Sequence, residues 1–375
     1  MQNRLRFQFR KTDLILLAAT GLLAALGLLI LYSSGIQNAG GNQLDTSKQI
    51  LYVVVGFGLL WLFARSDYSI LKNYSRVIYI VMVVLLLIVE IFGATRLGAT
   101  RWINLGFFQF QPSEFAKLAL TIVLAKFFSV NYDQSDKFKY LIYSILYLLP
   151  PLILVVAQPD LGTGMVLTVI WLAMAMCSRI KKRYFVAGAV AFIVAIPLLL
   201  PHLAPYQRQR ITTFFEPTAN PTGTGYNVNQ AIIAVGSGGL FGQGLSSGSQ
   251  SQGNFLPSQH TDFIFAVLSE KLGFMGAIVC IALYCVLVIR ALWIAKNASD
   301  RFGTFLAIGI ATMFAFHVVI NIGMNIGILP VTGIPLPFIS AGGTSMLISL
   351  VSVGILESVY ARRRTLTVGS KEVYE

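Results

Sequence analysis

Residues 14–34 read LILLAATGLLAALGLLILYSS, twenty-one residues without a charge. As a helix such a run rises about 30 Å, the thickness of a bilayer's hydrocarbon core. It is too long for the apolar core of a cleaved signal and lacks a small-residue cleavage pattern, so it is expected to stay as a first membrane span. The rest of the chain has the same character: of 375 residues, 56% are apolar and 11% charged, a balance that sets aside a soluble fold and points to a polytopic membrane protein. Cys177, Cys280 and Cys285 sit in apolar runs with no CxxC pair, so they are expected to be small core residues rather than a disulfide framework or a zinc site.

Apolar runs at about 14–34, 49–64, 76–93, 114–129, 140–157, 163–178, 184–201, 263–290, 304–328 and 339–360 make ten spans. The expected class is therefore an all-α membrane protein, one integral domain over 1–375 with both termini in the cytoplasm and a long outer loop, 202–262, between spans seven and eight. With that orientation, twenty-one basic residues fall inside: Arg4, Arg6, Arg10 and Lys11; Arg65, Lys72 and Arg76; Lys126, Lys137 and Lys139; Arg179, Lys181, Lys182 and Arg183; Arg290, Lys296 and Arg301; Arg362, Arg363, Arg364 and Lys371. Only Lys48, Arg96, Arg101, Arg208 and Arg210 fall outside, the bias that the positive-inside rule demands. The net charge of +13 is thus mainly an orientation signal, and clusters scattered over short loops argue against nucleic acid as a partner.

The long loop opens with the basic, aromatic PYQRQRITTFFEP, continues through turn-rich TANPTGTGYNVNQ and the helix-like AIIAVGSGGLFGQG, and ends in LSSGSQSQG. Its glycines form no nucleotide loop, since no GK[ST] follows and no strand precedes; a hinge or cover is the simpler reading. Acids gather at outer helix ends. In FQFQPSEFAKLAL, Ser113 is placed to cap a helix with Glu114 in its first turn and Lys117 on the same face; in VVAQPDLGTGM, Asp160 lies in a tight turn between spans five and six. Helix capping and dipole compensation account for acids in such places. They do not account for Lys117, whose ammonium one turn into a span must pair or face a wet cavity.

Asp262, in NFLPSQHTDFIFAVLSEKLG (254–273), is also read as starting a helix together with Thr261. Glu270 would share its face about 12 Å deeper, so that face should line a polar cavity. Arg101, Arg208, Arg210 and Lys48 supply cations at the same leaflet, suited to a diphosphate lipid head group. His260 is a rival proton acceptor, although a lone loop histidine is commonly structural. Trp102 belongs to an aromatic outer loop as a belt anchor or a head-group contact. The prolines and glycines of GILPVTGIPLPFISAGGTS (327–345) predict a broken, re-entrant approach to span ten, tolerated only against protein or a cavity.

GATRWINLGFFQFQPSEFAKL, QPDLGTG, YQRQRI through GSGGLFGQG, NFLPSQHTDFIFAVLSEKLG and LPVTGIPLPFISAGGTS together resemble the SEDS family of shape, elongation, division and sporulation proteins over nearly the whole chain. The segment PVTGIPLPF and the short termini look more like its elongation branch than its division branch. The resemblance implies a peptidoglycan glycosyltransferase that polymerises lipid II at the outer face of the bacterial cytoplasmic membrane, with a class B penicillin-binding protein as transpeptidase and the elongation machinery as partners. It places the family's important aspartate on Asp262 and its other polar motif positions on Arg101, Trp102, Glu114, Lys117 and Asp160. Ser258 stands where many relatives have Glu, and Ala341 where many have Tyr, so neither a second acid beside Asp262 nor a tyrosine hydroxyl is carried over. No cofactor is assigned; a divalent cation bridging diphosphate and carboxylate is compatible with the chemistry implied, and the sequence shows no dedicated cage for one. A lipid II translocator, a division-type polymerase and a scaffold for cell-wall enzymes are the rival readings.

Overall fold

A computed structural model describes residues 12–35, 43–96, 99–104, 109–199, 208, 210, 212–214, 224–246, 248–252, 256 and 258–363. Arg4, Arg6, Arg10, Lys11, Arg364 and Lys371 of the orientation signal lie outside the described residues, as do most of PYQRQRITTFFEP and Asn254, Phe255 and Pro257. Among the described residues, ten long helices stand at the expected spans: α1 Leu14–Gly35, α2 Gln43–Arg65, α3 Ser69–Phe92, α4 Pro112–Val130, α5 Phe138–Ala157, α6 Leu161–Cys177 and α7 Lys182–Leu199, then, after α8 Thr224–Ser237 in the long loop, α9 Ile264–Asn297, α10 Arg301–Asn325 and α11 Gly343–Ala361. Seven of them are long and apolar enough to cross a bilayer unaided; α4, α6 and α7 are not among these.

Helix α4 carries Glu114, Lys117 and Lys126 but packs against α3, α5, α6, α10 and α11 and buries most of its surface. Charged groups at membrane depth are tolerated when they face the bundle interior and pair there. Helix α10 is the other central element, in contact with α4, α6 and α9. The two together place the polar residues of their facing sides in the middle of the protein.

Between α3 and α4 the aromatic segment is a small antiparallel sheet in the order β1-β2-β3, formed by β1 Ala94–Arg96, β2 Ala99–Asn104 and β3 Gln109–Phe110. Arg96 pairs with Ala99, and Asn104 with Gln109. Thr100, Trp102 and Ile103 are residue types that favour a pleated surface, and the strand segments are too short for the period-two signal to stand out in the sequence.

Helix α9 is broken at Gly273, whose φ of 68° and ψ of −166° no L-residue adopts at ease. Segment 239–244 of the long loop fills the break. The amides of Phe274 and Met275 donate to the carbonyls of Gly239 and Leu240 at 2.9 and 3.1 Å, while those of Gln243 and Gly244 donate to the carbonyls of Glu270 and Lys271 at 2.9 and 3.1 Å. Backbone groups freed by a kink inside a membrane helix must find such partners within the protein.

The opposite end of the bundle is tied by side chains. Arg290 of α9 donates to Asp13 at 2.8 and 2.6 Å, and the Asp13 amide donates to Glu357 of α11 at 2.9 Å. Arg301 pairs with Asp133 at 2.7 Å, and Tyr68 donates to Asp300 at 2.6 Å. One expectation fails here: of the cysteines only Cys280 is buried, while Cys177 and Cys285 are exposed on the apolar outer surfaces of their helices. An apolar run does not say which side of a membrane helix faces lipid.

Candidate active site

At the end of the bundle that carries the sheet, four pieces of chain converge: the start of α4, the turn before α6, the turn 258–263 before α9, and the irregular segment 326–342 between α10 and α11. Helix α10 organises them through His317, Asn321 and Asn325, which at a spacing of four share one face. All three are buried. Sequence reasoning passed over them, although three hydrogen-bonding residues at helical period in an otherwise apolar span are a readable signal.

Asp262 is not the first residue of its helix and does not cap it. Helix α9 starts at Ile264 behind Phe263, with no side-chain cap. The preceding residues form a tight turn in which Ser258, in the left-handed region at φ 56°, accepts the amides of Thr261 and Asp262 at 3.1 and 3.2 Å. That turn is fastened to the irregular segment: Ser340 Oγ donates to the Thr261 carbonyl at 2.7 Å, and the Ala341 amide donates to the His260 carbonyl at 2.8 Å. The Asp262 side chain is half-buried and stands over Gly333, where a Cβ would sit 3.6 Å from its Oδ2. Burial raises the carboxyl above the ordinary carboxylate range; a hydrogen bond from Thr261 and the guanidinium charges of Arg210 and Arg101 pull it back, and Asp160 adds to the rise.

Asp160 is the N-cap of α6, accepting from the Thr163 amide at 3.2 Å and hydroxyl at 2.9 Å, so the capping explanation holds for it. It also accepts from Ser113 Oγ at 3.1 Å and pairs with Arg101 Nη1 at 3.8 Å. Arg101 reaches over from β2, donating its Nε to the Gln158 carbonyl at 3.1 Å and its Nη2 to the Pro159 carbonyl. Ser113 was expected to cap α4; Gln111 occupies that position and Pro112 opens the helix, which frees the serine hydroxyl for Asp160. Arg210 donates to the Thr332 carbonyl at 3.2 Å and so shares the rim with Asp262. Arg208 is exposed, Lys48 is exposed on α2, and Trp102 is half-buried on β2 opposite Ala94.

Below this rim lies a buried polar trio. Lys117 Nζ donates to Glu114 Oε1 at 2.7 Å and meets His317 Nε2 at 2.8 Å. His317 Nδ1 is 2.6 Å from the Met313 carbonyl, an acceptor, which assigns the ring proton to Nδ1 and leaves Nε2 to accept from the ammonium. Lys117 therefore pairs, as its depth requires, and directs two of its three N–H groups at protein.

Glu270 departs from expectation. Because α9 begins after Asp262, the two acids do not share a helix face, and Glu270 is fully buried. Its carboxylate accepts the Gln250 amide at 2.8 Å and the Ser251 amide at 3.1 Å, pinning the end of the long loop to the N-terminal part of α9. Loop backbone amides leave no trace in a side-chain pattern, so this partner was not legible. Among the described residues no cluster of three or more His, Cys, Asp or Glu could hold a metal ion.

The pattern that defines the FtsW, RodA and SpoVE cell cycle proteins matches residues 13–365. The chain belongs to this family. It is 38% identical over 358 residues to the peptidoglycan glycosyltransferase MrdB of Escherichia coli K12, covering 95% of this chain and 96% of the relative. Stage V sporulation protein E of Bacillus subtilis is 37% identical over 355 residues, covering 92% and 96%. In solved structures, the fold resembles a chain described under the structural coordination of polymerization and crosslinking by a peptidoglycan synthase complex, with a TM-score of 0.81, 27% identity and coverage of 93% and 97%. It also resembles the rod shape determining protein RodA of Thermus thermophilus, with a TM-score of 0.71, 26% identity and coverage of 94% and 98%. This SEDS-family member brings the RW, QPSEFAK, QPD, TDF and PVTGIP blocks, spread over more than two hundred residues, to one end of its helix bundle.

Proposed function

We propose that this chain is a peptidoglycan glycosyltransferase that polymerises lipid II at the outer face of the cytoplasmic membrane, with Asp262 as general base. The observation that carries the reading is the Asp262 carboxyl itself: half-buried, raised in basicity by that burial, open over Gly333 and within the field of Arg101 and Arg210. A base whose pKa has moved toward the working pH is better matched to a weak nucleophile such as a sugar hydroxyl.

In the step so derived, the 4-hydroxyl oxygen of one lipid II sugar forms a bond to the anomeric carbon of a second, and its proton passes to an Asp262 oxygen. The bond from that carbon to the lipid diphosphate breaks, giving inversion in one displacement. Charge gathering on the diphosphate is met by Arg101 and Arg210, with Arg208 and Lys48 on the approach; Lys117, held by Glu114 and His317, supports the site from beneath. Base assistance contributes roughly 10² to 10⁴ in rate, and stabilisation of the leaving charge roughly 10² to 10³. A diphosphate leaves without protonation, so the second acid of a typical glycosidase is not required.

The outward orientation rests on the charge bias of the loops. The elongation role is supported by PVTGIPLPF and by the resemblance to MrdB and RodA. A class B penicillin-binding protein as partner is supported by the likeness to the synthase complex, in which polymerization and crosslinking are coordinated. The second reading, a lipid II translocator, is favoured by the buried Lys117–Glu114–His317 trio and the broken α9, features that also suit transport. Reconstitution with labelled lipid II separates them: glycan polymer supports the polymerase, and transbilayer movement of intact lipid without polymer supports the translocator.

A further inference from the structure

In a continuous helix the carbonyl of residue 262 would accept from the amide of residue 266. Here both groups are intercepted by one side chain. Asn325 Nδ2 donates to the Asp262 carbonyl at 3.1 Å, and Asn325 Oδ1 accepts from the Ala266 amide at 3.1 Å. The carboxamide lies across the place of the first hydrogen bond that a helix including Asp262 would make. The Ala266 amide is shared with the carbonyl of Phe263, three residues back, also at 3.1 Å. This is the physical reason why Asp262, which by sequence should cap α9, lies outside it.

Asn321, one turn earlier on α10, supplies the second fixed point. Its Nδ2 donates both to the Asp262 carbonyl at 3.0 Å and to the Ile334 carbonyl at 2.8 Å, so one amide ties the backbone of Asp262 to the segment that forms the floor under its carboxylate. The two asparagines are joined in turn, Asn325 Nδ2 donating to the Asn321 carbonyl at 2.8 Å, and both side chains are shut off from solvent. Buried amides with this many directed bonds hold their partners to a narrow geometry.

We infer that Asn321 and Asn325 are positioning residues for the transfer reaction: Asn325 keeps Asp262 out of helix α9, and Asn321 sets it over the Gly333 floor. The inference rests on the reading of Asp262 as the base. Without Asn325 the Asp262 carbonyl and Ala266 amide can bond to each other, α9 starts one residue earlier at Phe263, and the carboxylate becomes an ordinary N-terminal acid turned toward helix amides. Displacement of a catalytic group by about 1 Å costs on the order of 10²-fold in rate.

The test uses the full chain, reconstituted with its transpeptidase partner and lipid II, and compares the parent with Asn325→Leu, Asn321→Ala and Asp262→Asn. Leucine fills the volume of the carboxamide while removing its donor and acceptor. For Asn325→Leu the expected result is a fall in kcat of about 10²-fold with KM for lipid II within about twofold. The acidic limb of its pH profile moves to lower pH, because helix N-terminal amides favour the anion; Arg101, Arg210, Asp160 and Thr261, which face Asp262, are the same in both proteins. Asn321→Ala, which keeps the Asn325 bonds to the Asp262 carbonyl and the Ala266 amide, lowers kcat about tenfold and leaves the limb in place. It also decides the matter if Asn325→Leu fails to fold. Parental kcat in either variant, a KM rise that accounts for the loss, or an unmoved limb in Asn325→Leu would overturn the inference. If Asp262→Asn polymerises normally, the reading of Asp262 itself fails; if it is inactive while the asparagine variants are not, only the present inference does.

Discussion

Lys117 and His317, two hundred positions apart in the chain, meet at 2.8 Å inside the helix bundle, with Glu114 on the other side of the ammonium at 2.7 Å. Removing the cation strands the acid: Lys117→Met leaves the Glu114 carboxylate buried and unpaired, at a cost of about 3–5 kcal/mol. The expected result is a marked fall in the thermal midpoint and in folded yield. Adding Glu114→Gln should recover most of the loss, and His317→Phe alone should cost less, about 1–3 kcal/mol, since the ion pair survives. Thermal unfolding of the detergent-purified proteins reads all three.

Gly333 has φ +75° and lies under the Asp262 carboxylate. An L-residue there carries a backbone penalty of roughly 1 kcal/mol, while its Cβ, 3.6 Å from Oδ2, makes only ordinary contact. Gly333→Ala should therefore fold with a slightly lowered midpoint yet lose polymerisation several-fold, because the methyl group occupies space above the floor. Unchanged turnover would mean that reactants do not approach Asp262 from this side.

Glu270 holds residues 250 and 251 through two amide hydrogen bonds. Glu270→Gln replaces a charged acceptor of two bonds by a neutral one with a single oxygen, so amide exchange at 249–252 should accelerate while that of α9 beyond Gly273 stays unchanged. Hydrogen–deuterium exchange with peptide resolution measures this. Equal exchange in the two proteins would show that the loop is held by its backbone contacts at 239–244 alone.

The raised pKa of Asp262 has a consequence for stability. A carboxyl whose pKa is higher folded than unfolded binds its proton more tightly in the native state, so above the unfolded value, near 3.9, the anion destabilises the fold. Asp262→Asn should therefore raise the thermal midpoint at pH 7.5, and the gain should shrink as pH falls through the raised pKa and vanish near the unfolded value. In the active parent the same titration places the acidic limb of polymerisation above the ordinary carboxylate range. A stabilisation independent of pH would remove burial of charge as its cause.

The ten helices were legible because each apolar run is long and its neighbours are marked by basic residues; even α4, too charged to cross alone, starts near its expected position. The acids and arginines of the rim were legible as residues but not in their partnerships. Ser113 looked like a cap until Pro112 took the helix start, and Asp262 looked like one until Asn325 took its place in the helix. His317, Asn321 and Asn325 went unremarked because a sequence pattern weighs the apolar majority of a span, whereas their meaning comes from α4, the 258–263 turn and the 332–334 segment arriving on the same face. The small sheet and the 239–244 wedge at Gly273 are made by backbone pairing between distant segments, which side-chain periodicity does not encode.

The central claim is that Asp262 takes the proton of the attacking sugar hydroxyl. Its most direct measurement is glycan polymer formed from purified lipid II by the reconstituted protein and its Asp262→Asn variant, each with the transpeptidase partner. The variant keeps the shape of the side chain and the asparagine clamp around it, so a loss of polymerisation by 10²-fold or more, on the order expected of a general base, is the predicted result. Polymer formed by the variant at the parental rate would contradict the assignment.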